Sequence, residues 1–262
     1  MSASLVLYEV EDGIATITLN RPEKRNAISM AMLLRLEELI AAVEAAPDVR
    51  VVVITGAGSR AFCVGADINE WDAVAGADPI AMWRAWVRPG HRVFERLARL
   101  HLPTIAVVNG FCFGGGLELA LCADIRLAAE FAEFAFPETK IGTQPGWTGS
   151  QRLPRLIGAA RAKQMIFTGA RVRAEQAERW GLVNEVVPSG QLMDRARELA
   201  SQIAANAPLA VQFAKAMVDA GQGEGRALAL EGFAAALSAT TDDGQEGPAS
   251  FREKRPPHFT GR

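Results

Sequence analysis

Two glutamates stand where acid/base chemistry is possible. Glu118 lies two residues beyond Gly114-Gly115-Gly116 in the segment NGFCFGGGLELALCAD, residues 109–124. A buried strand is predicted to end at Asn109, and the three glycines lead into a short helix. The first amides of a helix have no intrahelical partner and sit at the positive end of its dipole, so they can receive a developing negative charge. A carboxylate in the first turn has an ordinary explanation, because acids are favoured there. Yet Leu117, Leu119, Ala120 and Leu121 surround Glu118 with apolar groups, and such surroundings raise a carboxyl pKa toward a useful range.

A second segment, Phe62-Cys63-Val64-Gly65-Ala66-Asp67, also follows a buried strand and a glycine-rich loop. By itself it reads equally as a loop with a helix cap. Its functional reading is that the amides of Ala66 and Gly115 converge on one oxygen and form an oxyanion hole. The third segment, FAFPETKIGTQPGWTGSQRLPRLIG, spans residues 134–158 and places Glu138 after Pro137 at a strand end. A lone carboxylate there also fits a solvated turn. Pro145-Gly146-Trp147-Thr148-Gly149 is a loop that allows close backbone approach.

Other chemistries find no support. There is no G-x-x-x-x-G-K-[ST] loop, no G-x-G-x-x-G and no G-x-S-x-G elbow. His91, His101 and His258 are scattered, and Cys63, Cys112 and Cys122 include no C-x-x-C pair, so no metal is expected. The thiols read as three buried groups in a reducing compartment. A formal net charge of −2 gives no broad reason to bind nucleic acid or an anionic membrane. The N-terminus lacks signal-peptide character and no run reaches ~18 apolar residues, so a cytoplasmic protein without membrane contact is expected.

The elements that must position these groups alternate strand, loop and helix over the first two-thirds, which favours parallel strands joined by crossover helices. Ser4–Val10 and Ile14–Leu19 read as a hairpin through Glu11-Asp12-Gly13. Helical periodicity runs from Asn26 to Ala46. Val51–Thr55 and Pro103–Val108 read as buried strands, and Val183–Val187 as a further strand. Asp67–Leu100 reads as helical but broken at Pro79 and at Pro89-Gly90, and Gln191–Phe251 as mainly helical. Pro188-Ser189-Gly190 is a plausible junction, dividing a core of residues 1–190 from a helical region of residues 191–262.

Together these segments resemble the crotonase (enoyl-CoA hydratase/isomerase) superfamily. The resemblance runs from ATITLNRPEKRNAIS through VVVITGAGSRAFCVGADINEW, PTIAVVNGFCFGGGLELALCADIRLA, PETKIGTQPG and ARVRAEQAERWGLVNEVVP to FREKRPPHFTGR. It implies an α/β fold, a spiral of ββα/βαβ turns with a C-terminal helical region, assembling as trimers or as hexamers of two trimers. It implies hydration of a 2-trans-enoyl-CoA, with an enoyl-CoA isomerase or another acyl-CoA dehydratase or lyase as the alternative. No cofactor is implied, since coenzyme A enters as part of the substrate. The resemblance places the oxyanion hole on the amides of Ala66 and Gly115. It makes Glu118 the group that activates water and Glu138 the proton donor to C2, with the Gly146 amide helping to place the water. Lys24, Arg25, Ala27, Asp67, Ile68 and Gly114 are implied as contacts to substrate or CoA. Two departures stand out: Asn69 replaces a lysine common in hydratases, and Trp147 replaces a small residue in the acyl-pocket loop.

Overall fold

The computed structural model describes residues 4–75, 79–221, 232, 235 and 237–262. The chain opens with an antiparallel hairpin, β1 (Val6–Glu11) and β2 (Ile14–Leu19), as the alternation predicts. Its two turn residues, Asp12 and Gly13, both have positive φ, 50° and 75°. That mirror-image turn matches the twist of the strands it joins.

Helix α1 (Met30–Glu44) is shorter than the predicted 26–46. Asn26 has φ 57°, outside the right-handed helical region, and Ser29 caps the helix by accepting the Met32 amide at 3.2 Å. After it come β3 (Val51–Gly56) and β4 (Ala61–Cys63), both buried throughout.

Next stand α2 (Ile68–Ala75), a single turn α3 (Pro79–Ala81), a π-helical stretch Met82–Val87, and α4 (Arg88–Ala98). The expected break at Pro89-Gly90 does not occur. The helix runs on through the pair: the widened register ends with the Arg88 amide on the Trp83 carbonyl, and Pro89, which has no N–H to donate, falls just where that register returns to α-helical.

β5 (Thr104–Val108), β6 (Phe111–Phe113) and α5 (Gly115–Ala120) follow, then β7 (Ile125–Ala129) and β8 (Glu133–Ala135). Helices α6 (Gly149–Ile157) and α7 (Ala159–Thr168) lead to β9 (Val172–Arg173), α8 (Ala174–Trp180) and β10 (Glu185–Val187). β10 starts later than predicted. Asn184 instead exchanges backbone and side-chain bonds with the backbone of Arg126, both at 2.9 Å.

The strands form two sheets, β1-β2-β3-β5-β7-β10 and β4-β6-β8-β9. From β2 to β10 the larger sheet is parallel, and β4, β6 and β8 are parallel in the smaller one. Each crossover therefore leaves a loop at the end of a small-sheet strand, the natural place for a site.

The packed core does not stop at Gly190. Helix α9 (Leu192–Ala204) lies on β2, β3, β5 and β7 with Leu192, Ala196 and Ala200 buried. Helix α10 (Pro208–Ala220) is tied down by Lys215, whose ammonium meets the Asp124 carboxylate at 2.7 Å and the Leu102 carbonyl at 2.9 Å. The last helix, α11 (Asp242–Glu253), buries Asp243, which accepts the amides of Thr260 and Gly261 at 2.6 and 2.8 Å. Arg50 closes the tail onto the core by donating to the carbonyls of Ala204 and Phe259. No helix among the described residues is long and apolar enough to cross a membrane.

Candidate active site

Ala66 pairs with Ile28 in an isolated parallel bridge. In that bridge the Ile28 amide donates to the Gly65 carbonyl and the Asp67 amide to the Ile28 carbonyl, each at 2.8 Å. The bonds thus go to the residues on either side, and the Ala66 amide faces away with no partner among the described residues. Gly115 opens α5, so its amide has no intrahelical partner either. The two nitrogens are neighbours: a Cβ built on Gly115 would lie 3.6 Å from the Ala66 nitrogen.

Glu118 is 2% exposed. Its Oε1 accepts the backbone amides of Trp147 and Gly149, both at 2.7 Å. Amides at positions i and i+2 reach one oxygen because Thr148 between them sits at φ 83°. That conformation is costly for a β-branched residue, and it makes an anion-binding concavity of the loop. Burial pushes the Glu118 carboxyl up to about 7, against the pull of the Gly149, Trp147 and Gly146 amides.

Glu138 begins the short 3-10 turn Glu138–Ile141. Its Oε1 lies over Gly114, where a Cβ would come within 2.7 Å of it. Its Oε2 is buried without a hydrogen-bond partner. Burial pushes this carboxyl up to about 7 as well, with the charge of Glu118 adding to the rise.

One cavity of about 320 Å³ gathers Ala66, Gly114, Gly115, Glu118, Glu138 and Gly146. Most of its remaining wall is apolar, from Ile68, Trp71, Met82, Trp86, Val87, Ile141 and Trp147, with Thr143 and Gln144 as polar members. Two unused amides, two neutralisable carboxyls and an apolar wall suit a substrate with a carbonyl oxygen that gains charge beside an apolar chain.

The family model described as enoyl-CoA hydratase/isomerase matches residues 9–262. The chain belongs to the enoyl-CoA hydratase/isomerase family. A short-chain-enoyl-CoA hydratase of Clostridium acetobutylicum is 40% identical over 257 residues, 97% of each chain. A crotonyl-CoA hydratase of Syntrophomonas wolfei is 37% identical over the full length of both. The crystal structure of an enoyl-CoA hydratase from Bacillus anthracis superposes with a TM-score of 0.94 at 38% identity, covering 99% of this chain and all of that one. The α/β architecture with its C-terminal helical region is thus that of the crotonase fold.

Within this enoyl-CoA hydratase/isomerase chain, four of the expected contacts lie away from the cavity. Lys24 and Arg25 are exposed and do not line it. Asp67 is buried and held by Arg21 at 3.0 Å. Ala27 is buried and spends its carbonyl on Arg21 at 2.8 Å. Asn26, also buried, donates to the carbonyls of Ala57 and Ala61 and accepts the Arg21 amide. The segment Arg21–Ala27 is therefore braced from within. Sequence reading missed the amides of Trp147 and Gly149 as the holders of Glu118. The only signal was the turn-forming run around them. Trp71 and Trp86 reach the cavity, while Trp83 is half exposed and meets His91 edge-on.

Proposed function

We propose that this protein hydrates a 2-trans-enoyl-CoA to the 3-hydroxyacyl-CoA with Glu118 and Glu138 as its acid/base pair. The observation that carries the reading is the single cavity in which both carboxyls adjoin the free amides of Ala66 and Gly115. The thioester oxygen sits between those amides, which stabilise the enolate-like charge as water adds. Glu118, fixed through Oε1, uses its other oxygen to take the proton from water attacking C3. Glu138 delivers a proton to C2. Two carboxyls with raised pKa values in one desolvated space can hold one proton between them, as the chemistry needs. The relatives named as hydratases of short enoyl thioesters support the same reaction.

Lys24 and Arg25, exposed on the segment whose Arg25 carbonyl accepts the Val64 amide, are assigned to the CoA phosphates. The assembly is assigned as a trimer or a hexamer of two trimers. Exposed apolar side chains on the helical half, Phe167, Val218 and Phe251 at 71–85% exposure, support burial between copies. Light scattering gives the mass directly.

The deciding experiment is crotonyl-CoA hydration by Glu118→Gln and Glu138→Gln. Each is expected to lose activity by orders of magnitude, with CoA-thioester binding retained. A near-normal rate in either variant rejects the pair. Offering 3-enoyl-CoA beside 2-enoyl-CoA separates hydration from double-bond isomerisation.

A further inference from the structure

Trp147 and Trp86, 61 residues apart, stand side by side in the apolar wall of the cavity, with Phe94 packed behind them. The indole of Trp147 is 3% exposed and stacks on Trp86, with ring centroids 5.5 Å apart and planes at 28°. Phe94 meets the same indole edge-on at 5.2 Å. The indole N–H points at the Trp86 carbonyl, 3.4 Å away. On one side the ring lies flat against α4, where a Cβ built on Gly90 would come within 2.0 Å of its nitrogen. On the other side its benzo edge adjoins Gly115, where a Cβ would come within 2.9 Å of Cε3 and Cζ3. Glycine weakens a helix interior, and the flat ring accounts for its presence at position 90.

This wall stands next to the reacting atoms. The Trp147 amide holds Glu118 and its ring touches Gly115. A thioester whose oxygen lies between the Ala66 and Gly115 amides presents C3 to Glu118 and sends the rest of its acyl chain toward the stack. The cavity volume of about 320 Å³ is at the lower end of the ~300–1,000 Å³ usual for small-molecule sites.

We propose that Trp147 is the residue that limits acyl-chain length, and that Gly90 is the positioning residue that keeps its ring across the cavity. The assignment rests on reading the site as an enoyl-CoA hydratase.

The test is kcat/KM for 2-trans crotonyl-, hexenoyl-, octenoyl- and decenoyl-CoA. One methylene admitted or excluded by such a pocket is worth roughly 10–200-fold. Trp147→Leu is expected to raise the decenoyl-to-crotonyl ratio at least tenfold, and Trp147→Phe, the conservative variant, by less. Gly90→Ala forces the ring into the cavity and is expected to lower the hexenoyl-to-crotonyl ratio. Gly90→Ala with Trp147→Leu is expected to recover that ratio, since no indole remains to collide. Ratios within twofold of wild type in both Trp147 variants overturn the length assignment. A double variant as restricted as Gly90→Ala overturns the role of Gly90. Wild type that hydrates none of the four thioesters removes the hydratase reading and this inference together; wild type that hydrates crotonyl-CoA with unmoved ratios removes only this inference.

Discussion

Arg21 and Asp67, 46 residues apart, form an ion pair at 3.0 Å with both side chains largely buried. Arg21 also donates to the Ala27 carbonyl, and Asp67 accepts the Asn69 amide at 3.2 Å. The pair fixes the strand-like stretch whose middle residue, Ala66, presents its amide to the cavity.

Removing one partner leaves a buried charge. Asp67→Ala is expected to destabilise the fold by about 3 kcal/mol and to lower kcat as the Ala66 amide drifts. Burial works to raise the Asp67 pKa, but the Arg21 and Asn69 bonds and the charges of Arg21 and Lys24 bring it below the usual value. A lowered folded pKa means that this stabilisation is present above the ordinary Asp range and is lost as pH falls through the folded value. Urea denaturation of wild type and variant is expected to converge at acid pH. An undiminished gap there contradicts the assignment.

The carboxyls of Glu118 and Glu138 are both pushed up to about 7. One must be ionised to take a proton from water and the other protonated to supply carbon. The pH profile of kcat/KM for crotonyl-CoA is therefore expected to be a bell centred near neutrality, with limbs belonging to the pair. A profile flat from pH 5 to pH 9 is incompatible with the pair.

Stability should run against activity at the same position. A carboxyl whose folded pKa is raised contributes fully below its unfolded pKa, and the contribution is lost as pH rises through the folded value. Wild type thus bears the cost of a buried carboxylate at pH 8, about 3 kcal/mol by linkage. Glu118→Gln is expected to be inactive yet more stable than wild type at pH 8, the gain vanishing near pH 4. Denaturation at the two pH values measures it.

Gly115→Ala places a methyl against the Trp147 ring and beside the Ala66 nitrogen. Loss of one oxyanion donor typically costs about 10²–10³ in kcat. A drop of that order with KM little changed is expected, read by steady-state kinetics.

Lys215 ties α10 to the core through Asp124, which also accepts the amide and hydroxyl of Thr104 at 2.8 Å. Lys215→Met leaves Asp124 its Thr104 bonds but frees the helix. Faster amide exchange confined to residues 208–220 is expected, with the sheets unaffected.

The sequence announces what is local. Glu118 among leucines, glycines before a helix and the alternation of β1 and β2 are read within a few residues, because each follows from neighbouring side chains. What it conceals is set across the chain. The Trp147 and Gly149 amides meet Glu118 over 29 and 31 residues. Asp67 reads as a substrate contact, yet its carboxylate is taken by Arg21. The Pro89-Gly90 pair reads as a helix break, because neither the π-helical register before it nor the indole against Gly90 is visible in local propensity.

The amides of Ala66 and Gly115 follow β4 and β6, strands paired in parallel with Ala61 opposite Phe111 and Cys63 opposite Cys112. Their alignment is therefore a product of long-range register, and pairings of that kind form late and slowly. During refolding, helix content and hydrophobic collapse should return before turnover does. Regained catalysis thus serves as a clock for strand registration, timing a step to which circular dichroism is blind.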